Sequence, residues 1–142
     1  MSFDLLGDVD WLAVLIAAGA YFIIGAVWYA PPVLGNAWMK AGGMERPAEG
    51  QRPGPAIYVV PLIGSILSAI ALGMIAVATD TDTVGEGVVL GLVVGIGFAV
   101  SIALVTATFE SNKPNAMAWG AINAGYHVIG NLVAAIIIAW MA

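Results

Sequence analysis

The chain has 142 residues, 61% of them apolar, with nine acidic side chains, four basic ones and no cysteine. About a quarter of the residues of a soluble domain are charged, so this balance excludes one, together with a disordered tail. It also excludes a nucleic-acid binder, which needs a positive surface. Without cysteine there is no disulfide, thiol nucleophile or thiolate metal site.

The amino-terminal tail carries Asp4, Asp8 and Asp10 ahead of the first apolar run. A secretory leader has bases there and a shorter apolar core, so this run is expected to stay as a membrane span. Four segments reach the roughly 20 apolar residues that a helix needs to cross a bilayer. They are residues 11–30, 55–79, 87–109 and 116–142, and none contains Asp, Glu, Lys or Arg. The expectation is an all-α, integral membrane four-helix bundle in one domain, residues 1–142, with loops at 31–54 and 110–115.

After the first span, Pro31-Pro32 ends the helix, because proline donates no backbone hydrogen bond and clashes with the preceding turn. The Val33 to Lys40 stretch is then expected as a short helix in the membrane interface, with Trp38 as anchor and Lys40 snorkelling. The Gly- and Pro-rich residues 42–55 read as a solvated loop. Lys40, Arg46 and Arg52 lie between spans one and two, and Lys113 between spans three and four; Asp80, Asp82 and Glu86 occupy the remaining turn. Basic residues in short loops stay cytoplasmic, which turns both termini outward in a bacterial cytoplasmic (inner) membrane. The aromatic residues agree: Trp11 and Trp140 fall at the outer interface, and Trp28, Tyr29, Tyr58, Phe109 and Trp119 at the inner one.

In span two, Pro61 frees the Ile57 carbonyl and Ser65, Ala69 and Gly73 recur every four residues. Span three repeats the spacing with Gly87, Gly91 and Gly95, and span four with Ala116, Gly120 and Ala124. Helices in lipid associate through close packing, and such stripes let backbones approach. They serve either the packing of one bundle or a homodimer or other subunit interface.

Polar residues concentrate in span four. Asn123, Tyr126, His127, Gly130 and Asn131 stand at offsets that form one helical stripe. The opposite face, including Ile122, Val128, Leu132 and Ile136, suits lipid. An ionisable group in mid-membrane is a functional-site hypothesis by default. Tyr21, Ser65 or Ser68, and Ser101 lie at matching depth, so a midplane cluster with Asn123, His127 and Asn131 is geometrically available. It serves either as interhelical hydrogen-bonding glue or as a passage for a solute or ion.

Among cofactors, none is expected. His127 alone is the ligand available to a haem or chlorophyll-type pigment, and one histidine without cysteine is a poor zinc or copper set. No Ser-His-carboxylate set, carboxylate pair or phosphate loop stands inside the membrane, so an enzyme is not expected. The outer acids Asp4, Asp8, Asp10, Asp80 and Asp82 could at most form a cation site.

Two stretches carry a resemblance: Gly25 to Pro31 (GAVWYAP) followed by Gly35 to Lys40 (GNAWMK), and Ile122 to His127 (INAGYH). Together they resemble a bacterial family of small four-span membrane proteins known as domain of unknown function 1761. The resemblance implies the architecture and singles out Trp28, Tyr29, Pro31, Gly35 and Trp38 with Asn123, Gly125, Tyr126 and His127. It implies no reaction. The expected role is a non-enzymatic membrane protein, associating with itself or with other membrane subunits. A small transporter or channel component using the His127 face comes second, and a tetrapyrrole-binding subunit third.

Overall fold

Three of the four long apolar helical stretches start on a side chain that satisfies their first N–H groups; the one that begins at Ala56 has no such cap. The structure, a computed structural model, describes residues 2–45 and 54–142; Arg46, Arg52 and most of the 42–55 loop lie outside them. Asp10 caps α1 (Trp11–Trp28) by accepting from the Leu12 and Ala13 amides at 2.9 and 3.1 Å. Thr83 and Glu86 form a reciprocal capping box at the start of α4 (Val84–Val94). Asn115 caps α6 (Ala116–Met141) through the Ala118 amide. Glu86 thus belongs to the first turn of the third span, which starts three residues before the expected Gly87.

The chain is all-α, with four helical stretches long and apolar enough to span a bilayer and no strand among the described residues. The spans are α1, α3 (Ala56–Ala78), the compound stretch Val84–Phe109, and α6. The third is not one regular helix. It runs through α4, a π-helical segment at Gly95–Val100, and α5 (Ser101–Phe109).

The segment after α1 also departs from expectation. Pro31-Pro32 does not simply break the chain but opens a second π turn, Pro31–Gly35, closed by the Gly35 amide on the Ala30 carbonyl at 3.0 Å. Only glycine fits at its end, since a Cβ on Gly35 would run into the Tyr29 carbonyl oxygen. The short helix follows as α2 (Asn36–Gly42) and stops at Gly43, whose φ of 67° is the left-handed region that favours glycine. The Asn115 amide bonds the Ala41 carbonyl at 3.0 Å and ties α2 to the start of α6.

All other helices pack on α6. The third span does so through its glycines. A Cβ on Gly87 would stand 2.8 Å from the Ala135 carbonyl oxygen, one on Gly91 2.6 Å from the Leu132 Cα, and one on Gly95 3.0 Å from the Val128 Cα. This corrects the sequence reading of α6. Val128, Leu132 and Ile136 do not face lipid alone; they carry the backbone on which the third span sits. Gly120 likewise meets Ala107 of α5, while Ser65, Ala69, Leu72, Gly73 and Ala76 form the buried face of α3. The glycine stripe of span three is therefore occupied within the chain.

Substituting Gly91 by Ala is expected to lower the thermal unfolding midpoint in detergent, at the cost of about 1–3 kcal/mol typical of an overpacked contact. Gly19→Ala, in α1 with nothing within 4 Å of the added carbon, should leave the midpoint unchanged or raise it. Equal effects of the two would refute the close approach.

Candidate functional site

The polar groups of α1, α2 and α6 meet along one seam. Tyr21, near the middle of α1 and 1% exposed, places its hydroxyl 2.8 Å from His127 Nδ1. Asn131 Nδ2 donates to the same hydroxyl at 3.2 Å and to the His127 carbonyl at 2.7 Å. One turn earlier on α6, Asn123 Oδ1 accepts from the Tyr29 hydroxyl at 2.7 Å and from the Trp38 indole N–H at 2.9 Å. The Trp28 indole donates to the Ile122 carbonyl at 3.0 Å. Edge-on aromatic contacts link Tyr21, Tyr126, Tyr29 and Trp38, with ring centroids 5.1 to 5.4 Å apart.

Glycines make the seam possible. Gly125 lies against the Trp28 ring, where a Cβ would come within 2.8 Å of Cζ2, and Gly25 lies against Tyr126 at 3.0 Å. Gly130 passes directly under Tyr21, and a Cβ there would overlap the ring. Every aromatic residue of the seam thus has a glycine or a polar acceptor opposite it.

Beside the seam the bundle is open. Spans two and three flank a cleft of about 420 Å³, with Tyr21, Asn123, His127 and Asn131 along its α6 side and Ser68, Ala71, Phe98 and Ile102 among its walls. Phe98 and Ile102 are 63% and 64% exposed, and Ala71 and His127 are exposed as well. The cleft therefore faces sideways, toward the lipid. No Asp, Glu, Lys or Arg lines it.

The expected cluster is assembled in part. Tyr21, His127 and Asn131 meet directly, and Asn123 and Ser68 line the same cleft. Ser65 is buried but bonds the Pro61 carbonyl of its own helix at 2.9 Å. Ser101 does not join the cluster: it is exposed and its hydroxyl turns back to the Gly97 and Phe98 carbonyls of the π segment. Tyr126 is buried on the α1 side of the stripe, outside the cleft lining. Trp38, expected as the anchor of the short helix α2, also spends its N–H on Asn123, a contact that its place in the sequence did not announce. The Trp119 indole N–H is buried against Gly42 with no hydrogen-bond partner among the described residues, while Lys113 lies 4.4 Å from the ring centroid. Among the described residues, no three His, Asp or Glu side chains gather closely enough to hold a metal ion.

Sequence reading missed the pairing of Gly25 with Tyr126 and of Gly125 with Trp28, and the π segment that walls the cleft. The signal for the pairings was present as glycines three residues from Trp28 and beside Tyr126, each on the aromatic face of its helix.

The two halves of the seam are the two stretches that carried the resemblance. The family described as "Protein of unknown function (DUF1761)" matches residues 12–139. The chain belongs to this family. No curated protein and no solved structure matches the chain. Membership in DUF1761 brings no reaction with it, so the site must speak through its own geometry.

That geometry generates a test. Asn123→Ala strands two donors, Tyr29 O–H and Trp38 N–H, and is expected to destabilise by about 1–3 kcal/mol. Tyr29→Phe alone should cost less. In the Asn123→Ala background it should cost nothing or restore stability, because it removes a stranded donor. Additive losses in this double-mutant cycle of unfolding midpoints would show that the three groups are not coupled.

Proposed function

We propose that the chain is a non-enzymatic membrane protein whose lateral cleft takes up a small, largely apolar molecule from the bilayer, as a carrier or transporter component. The observation that carries this reading is the exposure of His127 in a cleft open to lipid while Tyr21 and Asn131 hold its ring and backbone. A side chain serving only as interhelical glue is covered by the helices it joins. Apolar walls with a few convergent polar groups are the usual make-up of a small-molecule site. The absence of a catalytic constellation in the sequence supports the non-enzymatic part.

Self-association, or a place in a larger membrane complex, is the second reading. It has less support, because the glycine stripe that would drive it is used within one chain. Its remaining support is the open flank, which a partner helix would cover. A tetrapyrrole fits less well. His127 is the sole histidine of the chain and so the single axial ligand it could offer.

The test is purification from native membranes in mild detergent, followed by mass spectrometry and an absorbance spectrum. A stoichiometric small molecule is expected, and His127→Ala with Asn123→Ala should lose it. A stoichiometric second polypeptide without a small molecule would favour the subunit reading, and visible absorbance lost on His127→Ala the pigment.

We also place both termini outside a bacterial inner membrane, from the distribution of Lys40, Arg46, Arg52 and Lys113. Thr81 is buried, so a cysteine at exposed Asp82 is the better outer reporter. An impermeant thiol reagent applied to intact cells should label Asp82→Cys and spare Ala48→Cys. The reverse would invert the topology.

A further inference from the structure

The hydrogen-bond count at the cleft specifies the polarity of its occupant. Asn123 Oδ1 receives an indole N–H, which can only donate, and a tyrosine hydroxyl. Both lone pairs of that oxygen are used, which assigns the amide and leaves both Nδ2 hydrogens free. No described residue accepts from them.

The same reasoning assigns His127. The Tyr21 hydroxyl accepts from Asn131 and has Ser68 as a second donor, so its own proton goes to an acceptor, either His127 Nδ1 at 2.8 Å or the His127 carbonyl at 3.5 Å. The shorter contact takes it, because a 3.5 Å contact lies outside normal O–H···O range. Nδ1 is then the acceptor and Nε2–H the donor, on the ring edge turned away from Tyr21 and left without a partner among the described residues. Asn123 and His127 stand four residues apart on α6, one above the other on the same face. Their two unspent donor groups line one cleft. The Thr106 hydroxyl along its wall can act either way, the Ser68 hydroxyl is engaged with Tyr21, and Asn131, 5% exposed, has spent its amide hydrogens and keeps only its Oδ1 as a largely buried acceptor.

Resting on the reading of the cleft as a small-molecule site, we infer that its occupant is an uncharged, lipid-soluble molecule with hydrogen-bond acceptor oxygens, of the quinone or ketone class, held by Asn123 Nδ2–H and His127 Nε2–H. Three features select this class. The unspent groups of Asn123 and His127 are donors, so an acceptor oxygen satisfies them and a donor-only head does not. Charged ligands find no counter-charge in the lining. The lateral mouth between Ala71 of α3 and Phe98 and Ile102 of the third span admits a flat apolar body directly from the bilayer.

The probe is tritiated menadione, a naphthoquinone, against tritiated methylnaphthalene, which has a similar body and no acceptor oxygen. Binding is measured on the full chain in nanodiscs, with empty nanodiscs as background. The chain has no cysteine, so menadione forms no thiol adduct with it. Menadione is expected to bind saturably and about tenfold more tightly than methylnaphthalene, the worth of one or two net hydrogen bonds. His127→Phe, which keeps a planar ring and removes one of the two donors, should cut the menadione preference to about threefold, the share left to Asn123. Ala71→Trp, which fills the exposed mouth and leaves both donors intact, should abolish both. Circular dichroism melts establish that the variants are folded. Equal affinity of the two probes, with both lost in Ala71→Trp, overturns the acceptor class and leaves the cleft reading standing. No saturable binding of either probe, or binding that survives Ala71→Trp, overturns both. A menadione preference that stays at its full size in folded His127→Phe overturns the assignment of His127 as a donor.

Discussion

Everything in this fold depends on how closely other backbones can approach α6. In lipid there is little hydrophobic drive to press apolar helices together, so association rests on packing and interhelical hydrogen bonds. The helix meets this condition on several sides at once. Gly120 admits Ala107, Gly125 admits the Trp28 ring, Gly130 admits Tyr21, and the backbone from Val128 to Ile136 receives the glycines of the third span. A helix with bulkier side chains at these positions would have room for one neighbour and not for all.

The same economy explains why one flank stays open. The small-residue face of α3 is spent toward the core, where Gly73 lies against Val14 and Val9 and Ala69 is fully buried. The glycine face of the third span is spent on α6. Neither face is left for the other, so spans two and three stand apart over most of their length and the cleft lies between them. The π segment Gly95–Val100 adds to this by putting a wide turn along one wall; such segments occur often at functional sites. The Ser101 hydroxyl beside it serves its own helix, so the third span adds Thr106 alone to the polar lining, most of which comes from α6.

Much of this was legible in the sequence. Long uncharged runs dictate spanning helices, and the spacing of small residues marked the packing faces of spans two, three and four. The stripe from Asn123 to Asn131 marked the polar side of α6, and Tyr21 was matched to His127 by depth alone. What escaped reading has a physical cause in each case. Periodicity assigns a residue to a face but does not say which neighbour covers it, so Val128, Leu132 and Ile136 looked lipid-facing although glycines across from them made that face a contact. Ser101 had the right depth, yet a serine in a helix can satisfy itself on the preceding turn, and depth says nothing of that choice. Trp38 looked like an anchor because an indole at a helix near the membrane surface usually is one. Its partner Asn123 lies 85 residues away, and only the fold brings the two together. The π segments left no periodic signature at all.

The seam is built entirely from neutral groups, and that bears on what it can do. Tyrosine, asparagine, tryptophan and histidine bond one another and backbone carbonyls without a carboxylate or a cation, so the network avoids the cost of holding charge within the membrane. A proton or ion pathway needs groups that change or balance charge along the route, and the cleft supplies His127 alone with no acidic partner. Orientation is what the network supplies instead. Tyr21 and Asn131 fix the imidazole, Tyr29 and Trp38 fix the Asn123 amide, Tyr21 is itself seated on Gly130, and Tyr29 is wedged edge-on between Tyr126 and Trp38. Groups held this firmly lose little freedom when a ligand arrives, and preorganisation of that kind favours binding. A rigid pair of donors facing an apolar, charge-free opening to lipid is suited to recognising a neutral molecule by its oxygens, and poorly suited to carrying charge across the membrane.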